Sequence, residues 1–408
     1  MKILNYILLA SACLLSSQAP AQVLSLDSVL SNVEKYNPML KMYDNMEAAE
    51  NMYAEGARSW MPPAISAGLW QTPYTDVSQG MFMISAEQMI PNPAKLKANQ
   101  KYMLGMAPVN AEGKLAQRNI LFAQTKQAYY EWMVMKKKKI VLEEIDSLLA
   151  YLLQTAQLRY TYNKERLDNI YKTKADLYDL RNNEYMLDAE MKMKNVMLNT
   201  LMDRKKDFVF DVDTLATIHH YETITADSNN IASSRSDVKQ LEASRALLKL
   251  QQNYDYSQRL PDFGISANHM QSFGIMPNQF SIMCMITIPI AGWSAKMYRS
   301  EVAGLKAQMN AVDDQQQELM NMAAGNIAVL QVEIKEAKQE LNNYRNNVVP
   351  AYNDSYRAAL LSYEQNTGDL FVVLDAFKMY RMESMSELDE LGRLLNLQVE
   401  YEKEMEIR

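Results

Sequence analysis

The chain is poor in the residues that most often carry catalysis or bind metal ions. Among 408 residues there are three histidines and two cysteines. His219 and His220 are adjacent and His269 stands alone, so the spacing of an HExxH motif is absent, as are a glycine-rich phosphate loop and a nucleophile elbow. The histidine pair leaves open a surface metal site, but composition favours an ordinary polar linker. We therefore expect no enzyme, no cofactor and no metal site.

The N-terminus has the pattern of a secretory signal peptide. A lysine precedes an apolar run at residues 3–15, and the small residues 19–21 offer an A-x-A cleavage site. We predict that residues 1–21 are removed, which leaves Cys284 as the single cysteine and excludes a disulfide framework. Cys13 also follows three small residues, as in a lipoprotein cleavage site, although the apolar run continues beyond it.

Acidic residues outnumber basic ones, with 49 Asp and Glu against 42 Lys and Arg and a formal net charge of −7. A surface that binds phosphate groups needs clustered lysine and arginine. The only basic run, residues 136–139, is expected to form a solvated face between helical segments. Nucleic acid is therefore excluded as a partner.

The chain resembles itself at an offset near 200 residues. In each half a helical segment leads through a proline to the tripeptide Ile-Ser-Ala, and two strands, another proline and a long helical segment follow. The tripeptides begin at Ile65 and Ile265, and the closing segments match at Tyr160 and Tyr363. The mature protein, residues 22–408, is thus predicted to contain two structural repeats, at about 24–210 and 230–408.

Four strands are predicted, two in each repeat, near 64–90 and 263–289. The ranges are 64–72, 80–90, 263–270 and 279–289, each about as long as a tilted membrane strand. Phe82 and Ile84 alternate with Ser85 and Glu87, which gives one apolar face that suits outer-membrane lipid. A soluble sheet with one buried face shows the same alternation, so this pattern leaves both interpretations open. Beyond the signal peptide no apolar run reaches the roughly 18 residues of a membrane helix.

Four strands are too few to close a barrel. An open sheet edge in hydrocarbon would leave backbone groups without hydrogen bonds, at several kcal/mol each. Three copies would supply twelve strands and leave a lumen, whereas two would supply eight and fill the interior with side chains. The sequence therefore predicts a homotrimer.

Most of the remaining chain is predicted to be helical. No proline interrupts residues 109–163 or 293–349, so each segment is expected to extend roughly 80 Å. Gly105, Pro108 and Pro350 are expected to bend or interrupt these helices. A 3.5-residue repeat, typical of a coiled coil, is formed by Leu142, Ile145, Leu149, Leu152 and Ala156.

The repeated halves, the Asn37-Pro38 opening, the proline before each first strand and the closing segment 363–376 together resemble the TolC-type outer membrane efflux protein family. The resemblance covers nearly all of the mature chain. It implies a mainly α fold with a small membrane β part: long coiled-coil periplasmic helices and four strands per chain, which form a 12-stranded barrel in a homotrimer. It also implies a passive channel in the cell outer membrane, engaged by a periplasmic adaptor (membrane fusion protein) and an inner-membrane RND-type pump.

The resemblance also implies roles for particular residues. The expected tunnel-entrance residues are Asp375 and Tyr363, although the acid that some family members have three residues earlier is replaced by Val372. The expected adaptor-contacting helical tips carry Tyr160, Asn163, Leu167, Asn366, Gly368, Asp369 and Leu370. The expected barrel-to-helix junctions are Pro62, Pro91, Pro261 and Pro289. Asn163 and Asn366 occupy turn positions that need a positive φ, which asparagine tolerates.

Methionine is abundant, with 30 residues, several of them spaced along helices. Soft thioether sulfur suits Cu(I) and Ag(I), so these heavy-metal cations join the candidate substrates. Methionine at helical spacing is also typical of helix packing, and that interpretation stays open. A different class of protein, a periplasmic coiled-coil scaffold or adaptor without a membrane barrel, would explain the export and the helices but not the four alternating strands.

Overall fold

The computed structural model of the protein is mostly helical with a few strands. It describes residues 22–223, 235–289 and 291–408. The predicted signal peptide and the predicted start of the second repeat near residue 230 lie outside these ranges. The helices are α1 (Leu26–Tyr36), α2 (Pro38–Gly56), α3 (Pro93–Leu104), α4 (Met106–Thr161), α5 (Leu167–Leu201), α6 (Ser236–Ser257), α7 (Gly292–Asn343), α8 (Val349–Glu364) and α9 (Leu370–Met405). The strands are β1 (Gln22–Leu24), β2 (Ala64–Trp70), β3 (Met81–Ile90), β4 (Phe210–Val212), β5 (Asp262–Ser272) and β6 (Gln279–Thr287).

The described residues fall into two compact units. The helical unit comprises residues 22–40, 117–223 and 322–408, and the strand unit comprises 41–116, 235–289 and 291–321. Helices α4 and α7, with 56 and 52 residues, contribute to both. Of the helices described, none has both the length and the apolar character needed to cross a membrane.

The strand unit contains one antiparallel sheet in the order β2-β3-β5-β6. The strands begin and end within two residues of the predicted ranges. Because β3 and β5 are neighbours, the two hairpins, one from each predicted repeat, form a single sheet.

The predicted helix interruptions at Gly105, Pro108 and Pro350 each have a structural counterpart. Gly105 separates α3 from α4, and Pro108 lies in the first turn of α4, where an N–H would have no helical partner. Pro350 lacks the N–H of a normal helical bond and its ring crowds the preceding turn. Ahead of it the chain forms a π-helical turn at Tyr344–Val348, which accommodates the missing bond.

The coiled-coil positions predicted from the sequence form part of one of the two apolar clusters in the helical unit. All five predicted positions of α4 are buried. They belong to one apolar cluster with Leu177 and Leu180 of α5 and Leu374 and Phe377 of α9. Full burial of a leucine side chain contributes roughly 1.5–3 kcal/mol, so this cluster stabilises the packing of three helices.

Two features of the helical unit differ from the sequence-based expectations. Residues 136–139 lie inside α4 rather than between helical segments, and Lys136, Lys138 and Lys139 form partly exposed ion pairs with acids of the same unit. In addition, β1 and β4 form a parallel pair of three-residue strands that the sequence does not predict. Strands this short contain too few residues to show an alternating pattern.

Candidate functional site

The four-stranded sheet has two chemically different faces. Residues paired across an antiparallel sheet point to the same side, so the register assigns every side chain to a face. We call one side the hydrocarbon face: Ile65, Ala67, Leu69, Phe82, Ile84, Ala86, Gln88, Ile90, Phe263, Ile265, Ala267, His269, Gln271, Phe280, Ile282, Cys284 and Ile286. The opposite side, which we call the polar face, carries the hydroxyl, amide and carboxylate side chains together with Trp70 and six methionines: Ser66, Trp70, Met81, Met83, Ser85, Glu87, Met89, Asp262, Ser266, Asn268, Met270, Ser272, Gln279, Ser281, Met283, Met285 and Thr287. The alternation predicted at Phe82, Ile84, Ser85 and Glu87 is thus present in the sheet.

The hydrocarbon face is exposed to solvent in the single chain. Ile282 is 65% exposed and Phe280 is 79% exposed. A contiguous exposed apolar surface of this kind marks a contact with lipid or another protein. The polar face is better covered, and there Asn268 Nδ2 donates a hydrogen bond to Ser281 Oγ at 3.0 Å. This distribution is the reverse of a soluble sheet that buries its apolar face.

Both edges of the sheet, β2 and β6, are open. Within the part of the chain that the structure describes, β2 pairs only with β3 and β6 pairs only with β5. The outward backbone groups of both edge strands therefore have no strand partner among residues 22–223, 235–289 and 291–408. Such an edge is a template for pairing with another strand.

The four predicted junction prolines flank the strands. Pro62 and Pro261 precede β2 and β5, and Pro91 and Pro289 follow β3 and β6. Because proline cannot donate to a ladder, each position suits the end of a strand. The placement agrees with a change from strand to helix or loop at these four points.

Polar contacts fix the junction between β3, α3 and β5. Asn92 caps α3 with its side-chain oxygen, 3.0 Å from the Ala94 nitrogen, and its Nδ2 donates to the Pro261 carbonyl at 3.2 Å. Asp262 accepts hydrogen bonds from the Asn92 nitrogen and from the largely buried Lys95 ammonium, at 3.1 and 2.6 Å. The start of β5 is thereby attached to the first turn of α3.

The predicted helical tips are two turns with the same backbone geometry. Asn163 and Asn366 have φ of 56° and 59°, as predicted, and each ends its helix in a Schellman motif. In the second turn the Asn366 nitrogen donates to the Tyr363 carbonyl at 3.0 Å and the Thr367 nitrogen to the Ser362 carbonyl at 2.9 Å. The first turn has the equivalent pair of bonds, and so do the turns at Asp203 and Glu406.

Side chains connect the two tips. The Tyr363 hydroxyl donates to Glu165 Oε2 at 2.8 Å, and the Arg159 guanidinium lies 4.0 Å from the centre of the Tyr363 ring. Glu165 Oε1 accepts from Asn169 Nδ2 at 2.8 Å. Burial and the hydrogen bond to Glu165 raise the pKa of the Tyr363 hydroxyl above its usual value. The phenol therefore stays protonated and keeps donating across the physiological pH range.

The predicted tip residues do not share one environment. Tyr160, Asn163, Leu167, Asn366, Gly368 and Asp369 are exposed, whereas Leu370 is buried. Tyr363, which was predicted for the tunnel entrance, is buried in the single chain as well. Asp369 caps α9, with its side-chain oxygen 2.9 Å from the Phe371 nitrogen. The turns line a groove of about 720 Å³ whose walls carry charges of both signs.

Asp375 lies on the exposed surface of α9. It forms no ion pair with any side chain in the described ranges. Val372, one turn earlier, is also exposed. The carboxylate is thus free to face solvent or a lumen.

We expect the backbone of the second tip to depend on the side chain at Asn366. The Asn366→Ala variant should destabilise the turn by about 1 kcal/mol, because alanine disfavours the left-handed region, whereas Asn366→Gly should leave it unchanged or more stable. The measurement is hydrogen exchange at the Thr367 amide. Equal exchange rates in the alanine and glycine variants would show that φ does not limit the stability of the turn.

No protein-family profile matches the chain, and no curated protein sequence matches it significantly. Solved structures do match it. They include the outer-membrane channel OprN, with a TM-score of 0.75 and 13% identity over 93% of this chain and 89% of that one. The CmeC outer membrane channel of Campylobacter jejuni has a TM-score of 0.74 and 14% identity over 93% of this chain and 85% of that one. The outer membrane protein VceC of Vibrio cholerae has a TM-score of 0.70 and 14% identity over 93% and 95%. This chain has the fold of an outer-membrane channel.

In this channel fold, sequence reasoning missed the residues that connect the tips. Glu165 and Arg159 hold Tyr363 from two sides. Tyr160, which matches Tyr363 in the repeat, is 43% exposed, while Tyr363 is 2% exposed. The sequence offered one slight signal for these contacts. The first turn has a glutamate at residue 165, where the matching position of the second turn has Gly368. The described residues contain no cluster of three or more His, Cys, Asp and Glu side chains suited to a metal ion.

Proposed function

We propose that the protein is the passive outer-membrane channel of a tripartite efflux system, with its strands in the cell outer membrane and its helices in the periplasm. The observation that carries this proposal is the sheet with an exposed hydrocarbon face and two open edges. Lipid would cover the face, but it cannot form hydrogen bonds with the edges.

Assembly of a homotrimer supplies the missing edge partners. Adjacent strands of the sheet are all antiparallel, so β2 and β6 run in opposite directions. When β6 of one copy lies beside β2 of the next, the antiparallel pattern continues without a break. Three copies then form a closed 12-stranded barrel with a lumen.

The helical tips are the proposed contact with a periplasmic adaptor, a membrane fusion protein that connects the channel to an inner-membrane RND-type pump. Tyr160 and Leu167 expose apolar surface beside the charged groove between the two turns. A partner helix that buried both side chains would gain hydrophobic and ionic contacts together. The pump would supply the energy, and the channel would remain passive.

Asp375 is the proposed charged residue of the tunnel entrance. In a trimer, three copies would form an acidic ring that attracts cations. We expect Asp375→Asn to lower the cation selectivity of the protein reconstituted in a planar bilayer, and Asp375→Glu, which keeps the charge, to retain it. Selectivity unchanged in Asp375→Asn would remove this residue from the entrance, and a wild type that conducts no ions would contradict the channel itself.

Two other functions are less well supported. A periplasmic scaffold without a barrel would leave the exposed hydrocarbon face in water. An enzyme would need a convergent acid, base or nucleophile, and the arrangements described here provide tip contacts and caps instead.

Heavy-metal cations such as Cu(I) and Ag(I) are among the proposed substrates of the channel.

A further inference from the structure

Methionine is distributed unequally between the two faces of the sheet. The register places all six strand methionines on the polar face: Met81, Met83, Met89, Met270, Met283 and Met285. The hydrocarbon face contains isoleucine, leucine, phenylalanine and alanine but no methionine among its paired residues. If methionine served here only as an adaptable apolar residue, it would occur on the apolar face as well. The separation places every strand methionine on the face that also carries the hydroxyl, amide and carboxylate groups.

Two of these methionines converge on a gap in the sheet. In the ladder, Met89 of β3 and Met285 of β6 flank Gly264 of β5 on its two sides. Met89 Sδ lies 2.9 Å, and Met285 Cε lies 3.2 Å, from the position that a Cβ on Gly264 would occupy. The missing side chain therefore leaves a space that the Met89 sulfur and the Met285 methyl group both border.

The surroundings of this gap supply two polar groups. Ser266, the next residue of β5 on the same face, is buried, and its hydroxyl has no hydrogen-bond partner. It is paired in the ladder with Glu87, whose carboxylate forms no ion pair within the described ranges. A buried hydroxyl normally makes a hydrogen bond, so the Ser266 hydroxyl is available to a species bound over Gly264. The carboxylate adds negative charge beside two neutral sulfur ligands.

We infer that Met89 and Met285 bind a soft monovalent metal cation, Cu(I) or Ag(I), over Gly264, with Glu87 offsetting its charge. Thioether sulfur selects such ions over hard cations. The placement of this site in an export path rests on the proposed channel function, because the polar face would line the lumen of the barrel. The binding itself rests on the geometry of the sheet alone.

The test uses the purified full-length protein in detergent and Ag(I) as the probe, since Ag(I) has the ligand preference of Cu(I) without its redox chemistry. We expect a bound ion with sulfur neighbours in the X-ray absorption spectrum. The double variant Met89→Leu/Met285→Leu keeps apolar side chains of similar volume. It should lose at least about tenfold in affinity for that ion. The matched control is Met52→Leu/Met193→Leu, two well-exposed methionines on helices, which should bind as the wild type does.

A second variant tests the gap directly. Gly264→Ala places a methyl group 2.9 Å from Met89 Sδ, and the flexible side chain is expected to move aside without unfolding the sheet. Ag(I) binding should weaken while K⁺ conductance in a bilayer stays near that of the wild type. If the wild type and the Met89→Leu/Met285→Leu variant bound Ag(I) equally, the inferred metal site would be wrong. Normal K⁺ conductance of the wild type in the same preparation would still support the channel. If the wild type bound Ag(I) through sulfur but conducted no ions, the proposed channel would be contradicted and the metal site would still be supported.

Discussion

Replacing Ile282 by arginine should keep the protein out of the outer membrane. Ile282 lies on the hydrocarbon face and is 65% exposed in the single chain. An arginine on the lipid face of a barrel costs about 2–4 kcal/mol at the middle of the bilayer, and a trimer would carry that cost three times. The measurement is the amount of assembled protein in the outer-membrane fraction. We expect most of the variant to be lost from that fraction.

The neighbouring residue provides a matched control. Met283 is also apolar and 52% exposed, but its side chain points to the polar face. The Met283→Arg variant should therefore insert as the wild type does. Equal insertion of the two arginine variants would show that the hydrocarbon face does not contact lipid. Equal loss of both would show that the sheet tolerates no arginine, whichever face carries it.

The Lys126→Met variant should destabilise the helical unit by about 3–5 kcal/mol, because it leaves a buried carboxylate without its partner. Lys126 and Glu402 form a buried ion pair at 2.6 Å, with 5% and 10% of their side chains exposed. Tyr221 donates to the other Glu402 oxygen at 2.8 Å, and burial together with this bond raises the pKa of the Tyr221 hydroxyl. The measurement is hydrogen exchange in the last turns of α9, where protection should fall.

A second substitution, at Glu402, separates two effects of Lys126→Met: the loss of the ion pair and the loss of the packing contacts of the lysine side chain. In Lys126→Met/Glu402→Gln the unpaired charge is gone, so much of the protection should return. If the single variant were as stable as the wild type, Glu402 would not depend on Lys126. If the double variant were no better than the single one, packing rather than charge would explain the effect.

Features that repeat along the chain could be predicted from the sequence. Alternation at Phe82, Ile84 and Ser85 requires only the local period of a strand, and the spacing of Leu142 and Ile145 requires only that of a helix. The helix interruptions followed from backbone chemistry that proline and glycine impose. The similarity to solved channels agrees with the fold that the family resemblance implied. The two structural repeats and the roles of individual site residues remain predictions.

Features that depend on distant partners could not be predicted. The convergence of Met89 and Met285 on Gly264 requires the order β3-β5-β6, which joins strands from both halves of the chain. The ion pairs of residues 136–139 depend on acids from other elements, which charge patterning along α4 does not reveal. Likewise, the bond from Tyr363 to Glu165 joins two turns that are almost 200 residues apart.

The most direct test of the account is the mass of the native protein extracted in mild detergent, measured together with its cellular fraction and the effect of boiling. The account predicts an outer-membrane species of three chains that boiling converts to single chains, because edge pairing between β2 and β6 is what closes the sheet. A single chain in the periplasmic fraction that stays dispersed without detergent would contradict the barrel and support the scaffold.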